Sequence, residues 1–457
     1  MMRSRKKLSM MAALPPYLGG KRRLCPLIFR EIDRVLPRRH WSGRIFLDAF
    51  LGGGSVSLFS KAQGFMVVAT DIAERAIVVG EALIANSRVK LTQEDVLRLV
   101  APNNDLPGKV ETGYVPRVFT QEQGRFLDRA LVTAAATDDP AKAALYRLLA
   151  IRVALLAHPM SQVRPGTIHR LTTGEVESIT ESCLYHYVDG LRLTRPNKLW
   201  ELAQAINAGV FQGEGHVLRV SVLDALPSIQ ADVAYFDPPY PGVMSYEKEY
   251  RIIDEILEGA SRPTSPFTAK DGVSLLDTLF ENATHIPVWL LSLGNAVVGI
   301  EELEAKMSKH GRQTKAIALK YQHLPAVATR EKKETNREFL VVGWDPNAPL
   351  LRSVSVGGAD FRDHALGVEV DRAVPGIHPD VDSGGPEPTT PEPLTSNAVQ
   401  ESHASLPEQA ATEGRGMPIS ELQPGVNGPD SILTESGLDG DRKGRVGTSG
   451  IHAPNVP

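Results

Sequence analysis

Apolar residues along the first ninety positions fall into short continuous runs, each closed by turn residues and followed by a stretch of helical length. Arg44-Ile45-Phe46-Leu47-Asp48-Ala49-Phe50 is such a run, ending in the glycines at 52–54. Ser55 to Gly64 follows at helical length. Phe65-Met66-Val67-Val68-Ala69-Thr70 then predicts a second strand ending at Asp71, and Ala73 to Asn86 a second helix. Unbroken apolar strands alternating with helices are the pattern of a parallel sheet covered on both faces. The same texture returns late in the chain. Ala231 to Phe236 and Ile286 to Leu291 predict buried strands, Glu301 to His310 a helix, and Ala316 to Tyr321 with Glu338 to Trp344 a closing strand pair.

The block between, residues 95–220, has another texture. A long apolar helix is expected around Ala141 to Ala157, followed by a polar stretch from Ser161 to Arg170. This predicts a helical region inserted into an α/β core formed by residues 14–94 and 221–348. From residue 349 the pattern dissolves. Residues 352–457 contain 27 Gly and Pro, and Phe361 is their only aromatic. A segment this poor in apolar side chains cannot offset its ordering entropy, so disorder is expected across 349–457.

Charge is segregated in the same way. The net charge of -4 conceals a tail, residues 350–457, with 16 acidic against 7 basic side chains. The first 44 residues carry 12 Lys and Arg against only Glu31 and Asp33. A basic body suits a polyanionic partner, and a merely solvated basic arm fits the charge equally well. Two cysteines in 457 residues exclude a disulfide framework and a Cys-rich zinc site. The basic start followed by Leu8 to Leu14 is too short, and too poor in a cleavage site, for a signal peptide, and no apolar run reaches membrane length. The expectation is a soluble, cytoplasmic protein with no membrane partner.

Three constellations carry chemistry. Phe50-Leu51-Gly52-Gly53-Gly54-Ser55 lies where a strand hands over to a helix, where glycines allow a sharp turn and helix N–H groups are free. Asp71 ends the next strand, placed to accept hydrogen bonds from the two hydroxyls of a ribose. Ser57 stands where a third glycine would complete G-x-G-x-x-G, which favours a ligand without a pyrophosphate. Asp237-Pro238-Pro239-Tyr240 directly follows an apolar strand. Two prolines stop the ladder and stiffen the chain at the carboxyl end of that strand, where ligands bind in open α/β sheets. His158, His169 and His186 show no ligand spacing, and no metal is expected.

These motifs, with Pro16-Tyr17-Leu18-Gly19-Gly20-Lys21 ahead of them and Asn336-Arg337-Glu338-Phe339-Leu340 behind, resemble the Dam-type adenine-specific DNA methyltransferases in kind and in order over about residues 14 to 345. The resemblance implies a Rossmann-like methyltransferase core, an inserted target-recognition region and S-adenosylmethionine as methyl donor. It implies double-stranded DNA as substrate, action as a monomer, and leaves open a cognate restriction endonuclease. Lys21 is then expected at the carboxylate of the donor's methionine moiety, with Tyr17 against the donor, although Lys21 also fits a basic patch with Arg22 and Arg23. Phe50, Gly52 and Gly54 border the donor and Asp71 holds its ribose. Asp237 and the Pro238 carbonyl accept the two amine hydrogens of the target adenine, Pro239 stiffens the turn, and the flipped base stacks on Tyr240.

Asp224 is a further candidate for the donor's adenine end, with helix capping as the alternative. Tyr246, Glu247 and Tyr250 are candidates to close over substrate or to pack locally. For DNA contact the candidates are Arg164, His169, Arg170, Arg192, Arg195 and Lys198, by guanine readout or phosphate neutralisation, unless they are ordinary exposed charge. Two rivals remain at this point: an amino-methyltransferase of the same fold acting on RNA or protein, and an inert DNA-binding relative.

Overall fold

The computed structural model describes residues 9–101, 106–158, 163, 189–241, 246–258, 264–295, 298–320 and 336–351. Of the tail expected to be disordered, residues 352–457 lie outside them, whereas 349–351 are described and Leu351 is buried. Seven strands form one sheet: β1 (Ile45–Asp48), β2 (Met66–Asp71), β3 (Gly215–Arg219), β4 (Val233–Phe236), β5 (Val288–Gly294), β6 (Gln313–Lys320) and β7 (Arg337–Trp344). Their order is β3-β2-β1-β4-β5-β7-β6. The first five are mutually parallel, and β7 runs antiparallel between β5 and β6.

The helices are α1 (Cys25–Val35), α2 (Ser55–Ala62), α3 (Glu74–Val79), α4 (Gln93–Val100), α5 (Lys109–Tyr114), α6 (Gln121–Ala135), α7 (Pro140–Leu156), α8 (Pro196–Ala208), α9 (Val222–Ala225), α10 (Tyr246–Glu258), α11 (Leu275–Asn282) and α12 (Ile300–Ser308). The strands expected from their apolar runs are present, each trimmed or extended by a few residues.

Every residue of β4 and of β5 is buried. Side chains alternate across a strand, so Phe46, Tyr235 and Leu290 enter a core on one face of the sheet, while Leu47, Phe236 and Trp289 enter a second core on the other. This explains why the strand sequences are continuously apolar rather than alternating.

The helix expected over 73–86 changes character midway. α3 passes at Gly80 into a π-helical turn through Ala85. Gly80 lies so close to the sheet that an added Cβ would meet Leu51 and Val217 at 2.8 Å. The carbonyls left at the end of this turn are satisfied by a buried lysine on α2, since Lys61 Nζ donates to Leu83, Ile84 and Asn86 oxygens at 3.0, 2.9 and 2.7 Å.

The mid-chain helices α4 to α8 belong to the connection from β2 to β3. α7 starts at Pro140 under an Asp139 cap and is buried on nearly all sides, packing on α6 and on α3 with its π-helical extension. β3 itself falls within the range 95–220 that the sequence suggested for an insert. It pairs in parallel with β2 from Val67↔Gly215 to Asp71↔Arg219, so the sheet reaches into that range. Its half-exposed Gly-His-Val-Leu-Arg pattern is that of an edge strand and lacks the continuous apolar signal of the inner ones.

Candidate active site

Because β1 to β5 run in parallel, their carboxyl ends share one edge of the sheet, and Asp48, Asp71, Arg219 and Asp237 all reach it. The first turn there is made by the glycines. Gly52 and Gly54 take φ of +50° and +75°, which L side chains rarely adopt, and Gly54 starts α2. Asp71 holds this turn from the neighbouring strand: one carboxylate oxygen accepts the Gly52 N–H at 2.8 Å and the other the Ala73 N–H at 2.9 Å. Burial still pushes the Asp71 carboxyl above its ordinary range, against those two N–H groups.

The glycines also make room for Tyr17. A Cβ at Gly53 would lie 2.7 Å from the Tyr17 Cβ, and one at Gly52 would lie 3.2 Å from its ring. Tyr17 in turn stacks on Tyr250 and Tyr246, with ring centroids 5.2 and 6.0 Å apart and planes within 13°. The Tyr250 hydroxyl accepts the Leu18 N–H at 2.8 Å. Arg75 lies 4.6 Å from the Tyr250 ring centroid and pairs with Asp254 on the same helix. The tyrosines after the Asp-Pro-Pro-Tyr motif therefore do not pack only locally, and Tyr246 borders the cavity described below. They clamp α10 onto the lysine motif, more than 200 residues away in sequence.

Asp237 follows β4 and is 19% exposed at its side chain. Lys21, 3% exposed, donates to both its oxygens at 2.7 and 2.8 Å and to the Gly19 carbonyl at 3.1 Å. The same ammonium lies 3.5 Å from Glu338, a carboxylate with no exposure at all. Burial disfavours the lysine charge, but Asp237 and Glu338 outweigh it and hold the ammonium well above the usual lysine range. Tyr240 places its hydroxyl 2.8 and 2.7 Å from the two Glu338 oxygens, and its ring centroid 5.4 Å from Lys21 Nζ. Burial first, and then the facing Glu338 carboxylate, raise the Tyr240 hydroxyl well above the ordinary phenol range, so it donates as a neutral group.

A cavity of about 460 Å³ joins these parts, bordered by Tyr17, Lys21, Gly52, Asp71, Asp237 and Phe267. Phe267 meets Phe50 edge to face at 5.1 Å. Asp48, also on the cavity wall, is buried, and one of its oxygens accepts the Ser57 hydroxyl at 2.7 Å. The other carries no partner among the described residues. Burial pushes the Asp48 carboxyl up to about 7.

A family model for the D12 class N6 adenine-specific DNA methyltransferases matches residues 17–115, the stretch that holds Tyr17, Lys21, the glycine turn and Asp71. Over 338 residues the chain is 28% identical to the Type II methyltransferase M2.HphI of Haemophilus parahaemolyticus, covering 71% of this chain and 95% of that protein. These likenesses support an adenine-specific DNA methyltransferase family for the chain. A crystal structure from Thermoplasma acidophilum matches 70% of the chain and 87% of its own at 11% identity, with a TM-score of 0.26, too low to bear on the fold.

The fold gathers most of the expected site and disperses the rest. Tyr17, Lys21, Phe50, Gly52, Asp71, Asp237, Pro238 and Pro239 all border the cavity. Gly54 stands behind its wall, where an added Cβ would meet Val79 at 2.8 Å, and Tyr240 sits behind Lys21 with its hydroxyl turned to β7. Asp224 is not at a strand end. It lies exposed in the first turn of α9, which starts after Ser221 without a side-chain cap, and it does not border the cavity, so neither the donor role nor the capping alternative is seen. The strand stops at Arg219, and Arg219, Val220 and Ser221 border the cavity in its place.

Arg192, just before α8, Arg195 at its N-terminal cap position and Lys198 in its first turn are exposed, with Lys198 paired to Glu201 at 2.8 Å. Arg164, His169 and Arg170 lie outside the described residues, as does His186. His158 is buried against Phe119. Among the described residues no helix is long and apolar enough to cross a membrane.

Arg75, Phe267, Gly294 and Glu338 were missed. Glu338 had a signal, a lone carboxylate heading the apolar run Phe339 to Val342, and Arg75 had a weaker one, a cation inside an apolar helix. Phe267 had none.

Proposed function

We propose that this methyltransferase acts at adenines in specific sequences of double-stranded DNA, taking its methyl group from S-adenosylmethionine and delivering it to the exocyclic 6-amino group of a base flipped out of the helix. What supports this reading above all is the position of Asp237. Its carboxylate and the two rigid prolines border the same cavity as the glycine turn and Asp71, at the carboxyl edge of a parallel sheet.

The cavity fits the donor. Its volume lies within the roughly 300–1,000 Å³ of small-molecule sites, and Asp48 presents it with a buried oxygen that has no described partner. Asp71 would hold the ribose, Tyr17, Phe50 and Gly52 would bound the donor, with Gly54 shaping the turn, and Lys21 would take the methionine carboxylate. When bound, S-adenosylmethionine supplies an electrophilic methyl group on a sulfonium. The amine of adenine is a weak nucleophile because its lone pair is delocalised into the ring. Asp237 and the Pro238 carbonyl accept its two hydrogens and favour a tetrahedral nitrogen whose lone pair is free to attack. Positioning and electrostatics then supply most of the rate. Tyr240 offers a ring face to the flipped base.

Residues 95–220, apart from the edge strand, are the proposed target-recognition region, with Arg192, Arg195 and Lys198 among its DNA contacts. The likeness to a Type II methyltransferase favours a modification enzyme, and action as a monomer beside a cognate endonuclease is part of the same proposal.

The test is to incubate the protein with unmethylated bacterial DNA and methyl-labelled S-adenosylmethionine, digest to nucleosides and locate the label, with Asp237→Ala alongside. Label in N6-methyl-2′-deoxyadenosine that disappears in the variant is the expected result. Label in RNA or protein alone, or none with donor binding intact, would overturn the reading.

A further inference from the structure

We propose that Glu338 is a positioning residue of the methyl-transfer site, which seats the Tyr240 ring through its hydroxyl and offers Lys21 a second carboxylate, so that Asp237 is freed for the adenine amine. The inference rests on the reading of Asp237 and Tyr240 given above.

Glu338 is the second residue of β7 and is wholly buried. A carboxylate at such a place is costly unless paired, and its neighbours are Lys21 at 3.5 Å and the Tyr240 hydroxyl at 2.7 Å. Lys21 Nζ therefore stands between two carboxylates, close to Asp237 and within a small swing of Glu338. Asp237 must turn its oxygens to the adenine amine, and both of them accept from Lys21. When Lys21 turns from Asp237 toward the donor's carboxylate, Glu338 stays beside the ammonium as a fixed second anion, which eases the exchange of partners.

The sheet register supplies an independent observation. Glu338 pairs with Gly294 on β5. A Cβ on Gly294 would lie 3.0 Å from the Cε2 atom of Tyr240. The absent side chain on one strand and the carboxylate on the next thus form a seat for this one ring, which a general packing role for Glu338 does not require.

Glu338→Gln keeps the shape and an acceptor for Tyr240 but removes the charge offered to Lys21. Tyr240→Phe keeps the ring and removes the hydroxyl. Both variants, and the double variant, are to be compared with the wild type for kcat, KM for DNA, donor affinity, unfolding midpoint and fluorescence of 2-aminopurine at the target base. For Glu338→Gln, kcat is expected to fall about tenfold, the free energy of one charge-assisted contact, with KM and donor affinity within about twofold and the base-flipping signal kept. For Tyr240→Phe the flipping signal is expected to change, and the double variant to lose less than the product of the two single losses, since both act on one hydrogen bond.

A Glu338→Gln enzyme with kcat within about twofold of wild type overturns the inference. So does a loss of kcat matched by losses of donor affinity and unfolding midpoint, which marks a purely structural role. Should Glu338→Gln fail to fold, an unchanged flipping signal in Tyr240→Phe overturns it. If the wild type itself labels no adenine, the reading of the site fails before any variant is compared.

Discussion

Two aspartates close two strands of the same sheet edge and are held in opposite ways. Asp71, after β2, is fixed by backbone N–H groups of Gly52 and Ala73, whereas Asp237, after β4, is held by the side chain of Lys21. Backbone donors cannot leave without undoing the glycine turn, so Asp71 is a permanent fixture with its remaining lone pairs on offer. An ammonium on a four-carbon stem can swing away. The edge thus combines a rigid half suited to gripping a ligand with an exchangeable half suited to a step in which hydrogen-bond partners change.

The contrast can be broken most forcefully at Asp237. Asp237→Ala is expected to lower kcat/KM by about a thousandfold or more while donor affinity changes only a few-fold, measured by label transfer and equilibrium binding. Comparable losses in both would erase the division between the halves. Next comes Lys21→Met, which leaves Asp237 and the buried Glu338 without their shared cation and is expected to cost about 3 kcal/mol of stability in denaturant unfolding. A variant as stable as wild type would show that the carboxylates find another partner.

Asp71→Asn probes the rigid half. The amide oxygen keeps one of the two backbone N–H bonds, so the expected stability loss is only about 1 kcal/mol, with donor affinity down about tenfold and kcat at saturating donor nearly unchanged. A large fall in kcat instead would place Asp71 in the chemical step.

The last effect, on stability against pH and not on the reaction, concerns Asp48. Its folded carboxyl is raised from 3.8 to about 7, so the fold binds a proton that the unfolded chain has lost, and stability falls as pH rises through that window. Asp48→Asn is expected to flatten the stability profile between those values, and a slope retained in the variant would assign it to another group.

Most of the rigid half was legible in the sequence, because its parts are neighbours along the chain. A strand, three glycines and an acid at the end of the next strand lie within 27 residues, Ile45 to Asp71. The Asp-Pro-Pro-Tyr motif was legible for a related reason, since prolines after an apolar strand leave few other conformations. The partners of that motif were not. Lys21 was expected at a ligand and is bonded to Asp237, and Glu338 was read only as part of a closing strand. Asp224 misled because a short apolar run before an acid looks alike whether it ends a strand or opens a helical turn. The strand had already ended at Arg219.

By itself, then, the sequence determined the parallel core, the glycine turn, the two acids at strand ends and the proline-stiffened loop, all of which follow from local periodicity and restricted backbone angles. Only the tertiary structure decided that Tyr17, Tyr246 and Tyr250 form one stack, that β3 belongs to the sheet, and that Lys21 stands between Asp237 and Glu338. Those contacts join residues from 200 to more than 300 positions apart, or depend on which strand lies beside which. No local propensity encodes such a choice, and it is made when the apolar faces of the strands and helices are buried together.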